Sequence, residues 1–289
     1  MIGLIDIGGT KLLVATAEAG GTVGPTVRRP TPRTGEMVDT LVDMLDEVRS
    51  GQPLEAIGAA VPGPFDREAG QLINPPGLSD DWHRLDLAAP LRARFGCPVR
   101  VENDANCAAL AEARLGAGRG ARLLVYYTVS TGIGSGIVRD GELVIQRNDS
   151  EGGHQVLWPA RAGGPSCDCG GTGCLEAIAS GRAIRARFGR PAEEIEEQAV
   201  WDEVGEWLGL AVVNATALLD CDRVVFGGGV ASPRWPRIEP AISATVRRCL
   251  RLQPAPDIRP AELGEDRNLA GALLLLAARP GDARAPVAG

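Results

Sequence analysis

The feature that most constrains this chain is a turn that occurs twice. Residues 2–7 (IGLIDI) and 11–17 (KLLVATA) are apolar runs short enough for buried strands, and Gly8-Gly9-Thr10 separates them. The Gly20-Gly21 pair then turns the chain into a third strand. At residue 123 the design restarts. A strand, LLVYYTV (123–129), meets a second glycine-rich turn, and runs 136–139 and 142–146 pair across Asp140-Gly141, a strong hairpin signal. Between and after these units lie helical patterns: 37–48, with Met37, Leu41, Met44, Leu45 and Val48 on one face; Ala105–Leu115; 201–219; and 268–278. Short strands fall at 56–61, ended by Pro62-Gly63-Pro64, at 98–102, and at 223–226, ended by Gly227-Gly228-Gly229. The pattern predicts two α/β domains of related design. The tail over 280–289 is rich in Pro, Gly and Ala and is expected to be disordered.

At 289 residues with 44% apolar content, the chain is long enough for two real cores. Its net charge of −7 argues against broad binding to nucleic acid or anionic membranes. No run of apolar residues is long enough to span a bilayer, and no basic-then-apolar leader opens the sequence. The expected location is the cytoplasm.

Three nucleotide-binding readings of the glycine turns compete. A P-loop needs Ser or Thr after its lysine, but the sole lysine, Lys11, is followed by Leu12, which excludes it. A dinucleotide fingerprint must open a helix, and Gly132-Ile133-Gly134-Ser135-Gly136 runs into strand, turn and strand instead. A phosphate-cradling hairpin fits better. Glycine admits close approach and positive φ, so successive N–H groups converge on an anion. Thr10 and Thr131 add hydroxyls, and Asp6 is placed to position Mg²⁺ through water. A pair of ordinary tight turns remains the plainer alternative. For Gly228 and Gly229 the choice lies between close approach to a flat ligand and a flexible strand-to-helix turn.

Glu102-Asn103-Asp104-Ala105-Asn106 marks a strand giving way to a helix. Asp104 there is either a ligand-site carboxylate or, with Asn103, a helix N-cap. His154, Cys167, Cys169 and Cys174 have the spacing H-x12-C-x-C-x4-C, which suits a closed tetrahedral Zn²⁺ site with no position left for a reactive water. Free thiols or a labile disulfide are the alternatives. His83 reads as a surface or packing histidine, and Cys97, Cys107, Cys221 and Cys249 as ordinary half-buried thiols.

Taken together, DIGGTK (6–11), VENDANCAAL (101–110), TVSTGIGSGIV (128–138), EGGH (151–154), CDCGGTGCLEA (167–177) and VVFGGGVA (224–231) resemble the ROK family of bacterial sugar kinases and sugar-responsive repressors. The resemblance covers roughly residues 2–276. It implies an α/β fold of two actin-like ATPase (ribonuclease H-like) lobes around an interdomain cleft. The smaller lobe would be 1–104, completed by the helix 268–278, and the larger 105–267 with the zinc loop. It implies an ATP- and Mg²⁺-dependent kinase acting on the hydroxymethyl group of a hexose, with glucose the first choice and cleft closure excluding water.

By the same resemblance Asp104 is the general base. Asn103, Asp104, Glu151, His154 and Glu176 contact the sugar, with Gly63 and Asn74 in loops lining its site. Asp6, Gly8, Gly9, Thr10, Lys11, Thr131, Gly132, Gly228 and Gly229 serve the nucleotide. His154, Cys167, Cys169 and Cys174 hold a structural zinc that orders the sugar loop. A helix N-terminus would favour ionised Asp104. A homodimer is implied. Fructose, mannose, an N-acetyl-hexosamine, an amino sugar such as kanosamine, or a cyclitol are alternative substrates. A DNA-binding repressor is disfavoured because Asp6 stands so near the start. A non-catalytic sugar binder is disfavoured by the retained motif residues.

Overall fold

The computed structural model describes residues 1–18, 21–66, 71–73, 78–145 and 149–276. Asn74 and the tail 280–289 therefore lie outside the described residues. The described chain divides into two compact units, Met1–Cys107 with the segment from Asp266, and Ala108–Glu265.

The first unit is built on β1 (Ile2–Ile7), β2 (Lys11–Ala17), β3 (Val27–Pro30), α1 (Met37–Arg49) and β4 (Ala56–Val61). A small ribbon, β5 (Phe65–Asp66) with β6 (Gln71–Leu72), follows, then α2 (Ala88–Phe95), β7 (Val99–Asn103) and the start of α3 (Asp104–Leu115). Its five-stranded sheet has the order β3-β2-β1-β4-β7. The β1–β2–β3 part is antiparallel, whereas β1, β4 and β7 run parallel. Register aligns Asp6 with Ala60 and Ala60 with Glu102. The first glycine turn, Pro62-Gly63 and Asn103-Asp104 therefore follow the carboxyl ends of three parallel strands, the usual place for ligands in such sheets.

In the second unit β8 (Leu123–Val129), β9 (Ile133–Arg139) and β10 (Glu142–Leu143) come first. Then follow α4 (Leu175–Ala179), α5 (Gly181–Phe188), α6 (Gln198–Leu219), β11 (Arg223–Gly227), α7 (Ala231–Cys249) and β12 (Asp257–Pro260). The sheet order is β10-β9-β8-β11-β12, the same pattern as in the first unit, with β8, β11 and β12 parallel. Each unit thus carries the mixed sheet with flanking helices expected of an actin-like ATPase lobe. Asp140 and Gly141 take positive φ of 52° and 77°, the primed turn that the Asp-Gly pair signalled.

The chain's last described helix, α8 (Arg267–Leu276), belongs to the first unit. Leu269, Ala272 and Leu273 are buried with Ile2, Leu4, Leu13 and Ala60. On the other face of that sheet, Leu41, Met44 and Leu45 of α1 join Ile5, Ile7, Leu12 and Val14. The second unit's core gathers β8 and β11 against α4, α6 and α7, with Trp201, Leu208, Phe226 and Ile242 fully buried.

Helix α7 was not foreseen, because Pro236 and Pro240 stand inside it. Each proline removes a backbone hydrogen bond, but close packing on α6 compensates: Gly205 and Gly209 leave room for the backbone around Ile238 and Ile242. Strand β9 begins at Ile133, three residues earlier than the periodicity placed it, so the second turn is tighter than expected. Among the described residues no helix is long and apolar enough to cross a membrane.

Candidate active site

In the first unit, Gly8 N–H donates to Lys11 O at 2.9 Å and closes the β1–β2 hairpin. That N–H is spent on the turn, whereas Gly9 and Thr10 at its tip are exposed. Thr31 props the turn from behind: its hydroxyl donates to Gly8 O at 2.6 Å and its N–H to Thr10 O at 3.2 Å. Lys11 is the first residue of β2.

Asp6 lies one residue before β1 ends and is 8% exposed. Burial pushes its pKa up to about 6, while the Asn268 hydrogen bond and the charge of Lys11 hold it down. Asn268 Nδ2 donates to Asp6 Oδ1 at 3.1 Å. A nearly buried carboxylate in need of a compensating cation fits Mg²⁺, which takes one or two protein carboxylates and otherwise water and phosphate oxygens.

Asn103 Oδ1 accepts from Ala105 N (2.9 Å) and Asn106 N (3.2 Å), so this side chain caps α3. The cap reading of Asn103 is therefore correct, and its amide oxygen is already engaged. Its Nδ2 faces Gly63, where an added Cβ would stand 2.6 Å away. Asp104 is the first helical residue and half-buried, and its Oδ1 accepts from Ala105 N at 2.7 Å. Glu102 locks the junction: Oε1 accepts from Asn103 N at 2.8 Å and Asn106 Nδ2 at 3.0 Å.

In the second unit Glu151, His154 and Glu176 come together. His154 Nε2 lies 3.8 Å from Glu151 Oε2. Burial raises the Glu151 pKa; His154 lowers it, and the neighbouring Asp149 and Glu176 carboxylates raise it further. Ser135 on β9 holds the loop bearing Glu151. Its buried hydroxyl accepts from Gly152 N at 2.7 Å and meets the Ser150 carbonyl at 2.9 Å.

Glu176, on α4, reaches the second glycine turn: Oε2 accepts from Ile133 N at 2.8 Å. A Cβ at Gly132 would stand 2.6 Å from that oxygen, so only glycine fits without displacing the carboxylate. Gly132 is required by a side chain rather than by positive φ. Gly228 does take positive φ (99°), and a Cβ there would meet Val129 O at 2.3 Å. Gly229 sits near Ser130 Oγ in the same region. The second turn and the Gly228-Gly229 loop therefore adjoin at the carboxyl ends of β8 and β11.

The ligand atoms of His154, Cys167, Cys169 and Cys174 all lie within 4.8 Å of one another. Tetrahedral zinc with bonds of about 2.0–2.3 Å sets ligand atoms roughly 3.5–3.8 Å apart. Cys167 Sγ is 3.6 Å from His154 Nδ1, and Cys169 Sγ is 3.7 Å from Cys174 Sγ. Burial, reinforced by the two neighbouring thiols, pushes Cys174 up to about 12. Three thiolates are not stable together there without a cation, so the donor set fits Zn²⁺. Nδ1 is the ring nitrogen that faces the thiols, which leaves Nε2 on the Glu151 side. His83 sits beside Asp80; the four remaining thiols are not half-buried as expected, for Cys97, Cys107 and Cys221 are buried and Cys249 is exposed.

No motif or periodicity marks Thr31, Asn268, Ser135 or Arg182 as a site residue, and none assigns a role to Glu102. Each acts through a contact distant in sequence or by a cap geometry. Only the alternation of β9 would have pointed Ser135 inward.

Comparison with known proteins places the chain. The family model described as "ROK family" matches residues 2–279. The chain belongs to the ROK family. It is similar to a ROK hexokinase from Thermus thermophilus, with 34% identity, a TM-score of 0.80, and 94% of this chain and 96% of that one covered. A ROK glucokinase from Streptomyces griseus, solved with glucose and AMPPNP, is 28% identical with a TM-score of 0.78, over 95% and 98% of the two chains. A fructokinase from Zymomonas mobilis is 34% identical over 79% of each chain.

Proposed function

We propose that this ROK chain is an ATP-dependent sugar kinase that phosphorylates the hydroxymethyl group of a hexose, glucose first among candidates. The observation that carries the reading is Asp104. It is a half-buried carboxylate at the start of α3, held by a junction in which Glu102 Oε1 and Asn103 Oδ1 accept backbone and side-chain N–H bonds. A sugar hydroxyl is a weak nucleophile at neutral pH. Asp104 accepts its proton as the oxygen bonds to the γ-phosphorus, and ADP leaves. Glu151, His154 and Glu176 hold ring hydroxyls, with Asn103 Nδ2 and Gly63 beside the base. Glucose and AMPPNP bound to the Streptomyces griseus relative support a sugar and a nucleotide as the substrates and glucose as the first choice.

Backbone N–H groups of Gly9 and Thr10, and of Thr131 and Gly132, hold the phosphates, with the Gly228-Gly229 backbone against the adenosine. Mg²⁺, when bound with ATP near Asp6, offsets phosphate charge. His154, Cys167, Cys169 and Cys174 would hold Zn²⁺, which would order the sugar loop. The reading includes a cytoplasmic homodimer.

A coupled assay with ATP across hexoses, amino sugars and cyclitols tests the reading. Turnover highest with glucose is expected. ATP-dependent phosphorylation of none of them overturns the kinase assignment, and preference for a fructose, amino-sugar or cyclitol substrate overturns only the choice of glucose.

A further inference from the structure

Arg182 stands at the second position of α5, and no step of the proposed reaction uses it. Three contacts meet at this residue. Its Nη1 lies 2.6 Å from Oδ2 of Asp168, which is flanked by Cys167 and Cys169. Its Nη2 donates to Glu176 Oε1 at 3.1 Å. Its backbone N–H donates to Thr131 O in the second glycine turn at 3.2 Å. Glu176 is thus gripped from two sides, by the guanidinium on Oε1 and by Ile133 N–H on Oε2.

We propose that Arg182 is a positioning residue: braced on Asp168 of the cysteine loop, it fixes the carboxylate plane of Glu176 for the sugar hydroxyls. The inference rests on the sugar-kinase reading. With one donor alone, a glutamate carboxylate turns easily about its last torsion, which has a broad energy well. A second donor on the other oxygen fixes the plane. The guanidinium fork reaches two carboxylates at once, which a lysine ammonium does less well. The Arg182 and Asp168 side chains are 43% and 70% exposed, so their pairing adds little to stability. Glu176 is only 13% exposed, and its orientation is what the pairing controls. The cysteine loop thereby reaches the sugar by a second route besides His154.

The test uses the full zinc-loaded chain and the sugar that the wild type phosphorylates best. Arg182→Ala is expected to raise the sugar KM about tenfold, the scale of one charge-assisted hydrogen bond, with kcat and the KM for ATP changed less than about threefold. Zinc content and melting temperature stay at wild-type values. Arg182→Lys and Asp168→Asn give intermediate sugar KM values. In a Glu176→Gln background, Arg182→Ala adds much less to KM than it does alone. A wild-type sugar KM in Arg182→Ala, the same KM rise in the Glu176→Gln background, or loss of zinc would overturn the inference. If Arg182→Ala does not fold, a wild-type sugar KM in both Arg182→Lys and Asp168→Asn overturns it instead. An inactive parent protein marks failure of the kinase reading; an active parent whose sugar KM ignores Arg182 marks failure of this inference.

Discussion

The two units share one sheet plan but obtain their carboxylates differently. In the first, Asp6 lies within β1, and Asp104 opens α3 directly after β7. In the second, the positions around the turn after β8 carry no carboxylate. Glu151 and Glu176 come from a loop and from α4; Ser135 anchors the loop of Glu151, and Arg182 bonds Glu176. A carboxylate set in a strand, as Asp6 is, is fixed by backbone ladders and burial, and one at the helix start that follows a strand, as Asp104 is, by the strand-to-helix junction; one carried by a loop needs dedicated anchors. The first unit's chemistry should therefore respond to changes at the residue itself, and the second's also to changes in its supports.

The largest effect expected is at Asp104. Replacement by Asn should lower kcat about a thousandfold or more while leaving the melting temperature near wild type, since an amide retains the helix-start geometry but accepts no proton. Stopped-assay turnover beside thermal melts checks this, and near-normal kcat would break the assignment. Next comes the zinc cluster. Metal analysis should find about one Zn²⁺ per chain, and Cys167→Ser should cut kcat/KM for sugar roughly ten- to a hundredfold while nucleotide affinity holds. An equal loss of nucleotide affinity would break the contrast between the units.

Asp6→Asn sharpens the contrast through pH. Burial lifts Asp6 to about 6 from 3.8, so the folded chain holds this proton more tightly than the unfolded one. The group's contribution to stability therefore falls as pH rises from about 4 to about 6 and stays low above that, a cost of at most about 3 kcal/mol. The Asn variant should show a higher urea midpoint at pH 8 in the absence of nucleotide, no gain at pH 4, and loss of Mg²⁺-dependent turnover. An unchanged midpoint at pH 8 would refute the burial argument. The smallest effect is expected at Ser135. Replacement by Ala should raise sugar KM about threefold through Glu151, read by steady-state kinetics, because the neutral hydrogen bonds of this hydroxyl to Gly152 N and the Ser150 carbonyl are lost while the rest of the loop's anchors remain.

Legibility in the sequence followed the range of the interaction. The β1–β2 hairpin, α1 and the Asp-Gly turn rest on local periodicity and backbone preference, and they fall close to where the residues placed them. The His154–Cys174 cluster was readable because its donor chemistry is rare and three of its ligands lie close in sequence. Helix α7 was not, because Pro236 and Pro240 argue locally against it while contacts with α6 decide for it. Asn103 shows a subtler limit. The sequence marked it as a sugar ligand or a cap, and the capping geometry, visible only in three dimensions, commits its oxygen to the helix. Asn268 and Thr31 were unreadable because each meets its partner only after the chain has returned to the first sheet.

That return has a consequence for biosynthesis. Asp6 and Asn268 are 262 positions apart, and the strands around Asp6 leave the ribosome long before α8 exists to cover them. Until then the nascent chain carries an uncovered greasy flank on its first sheet, which is where chaperones would engage it. A product cut short before α8 would keep that flank for good and would be a substrate for degradation rather than a slower enzyme.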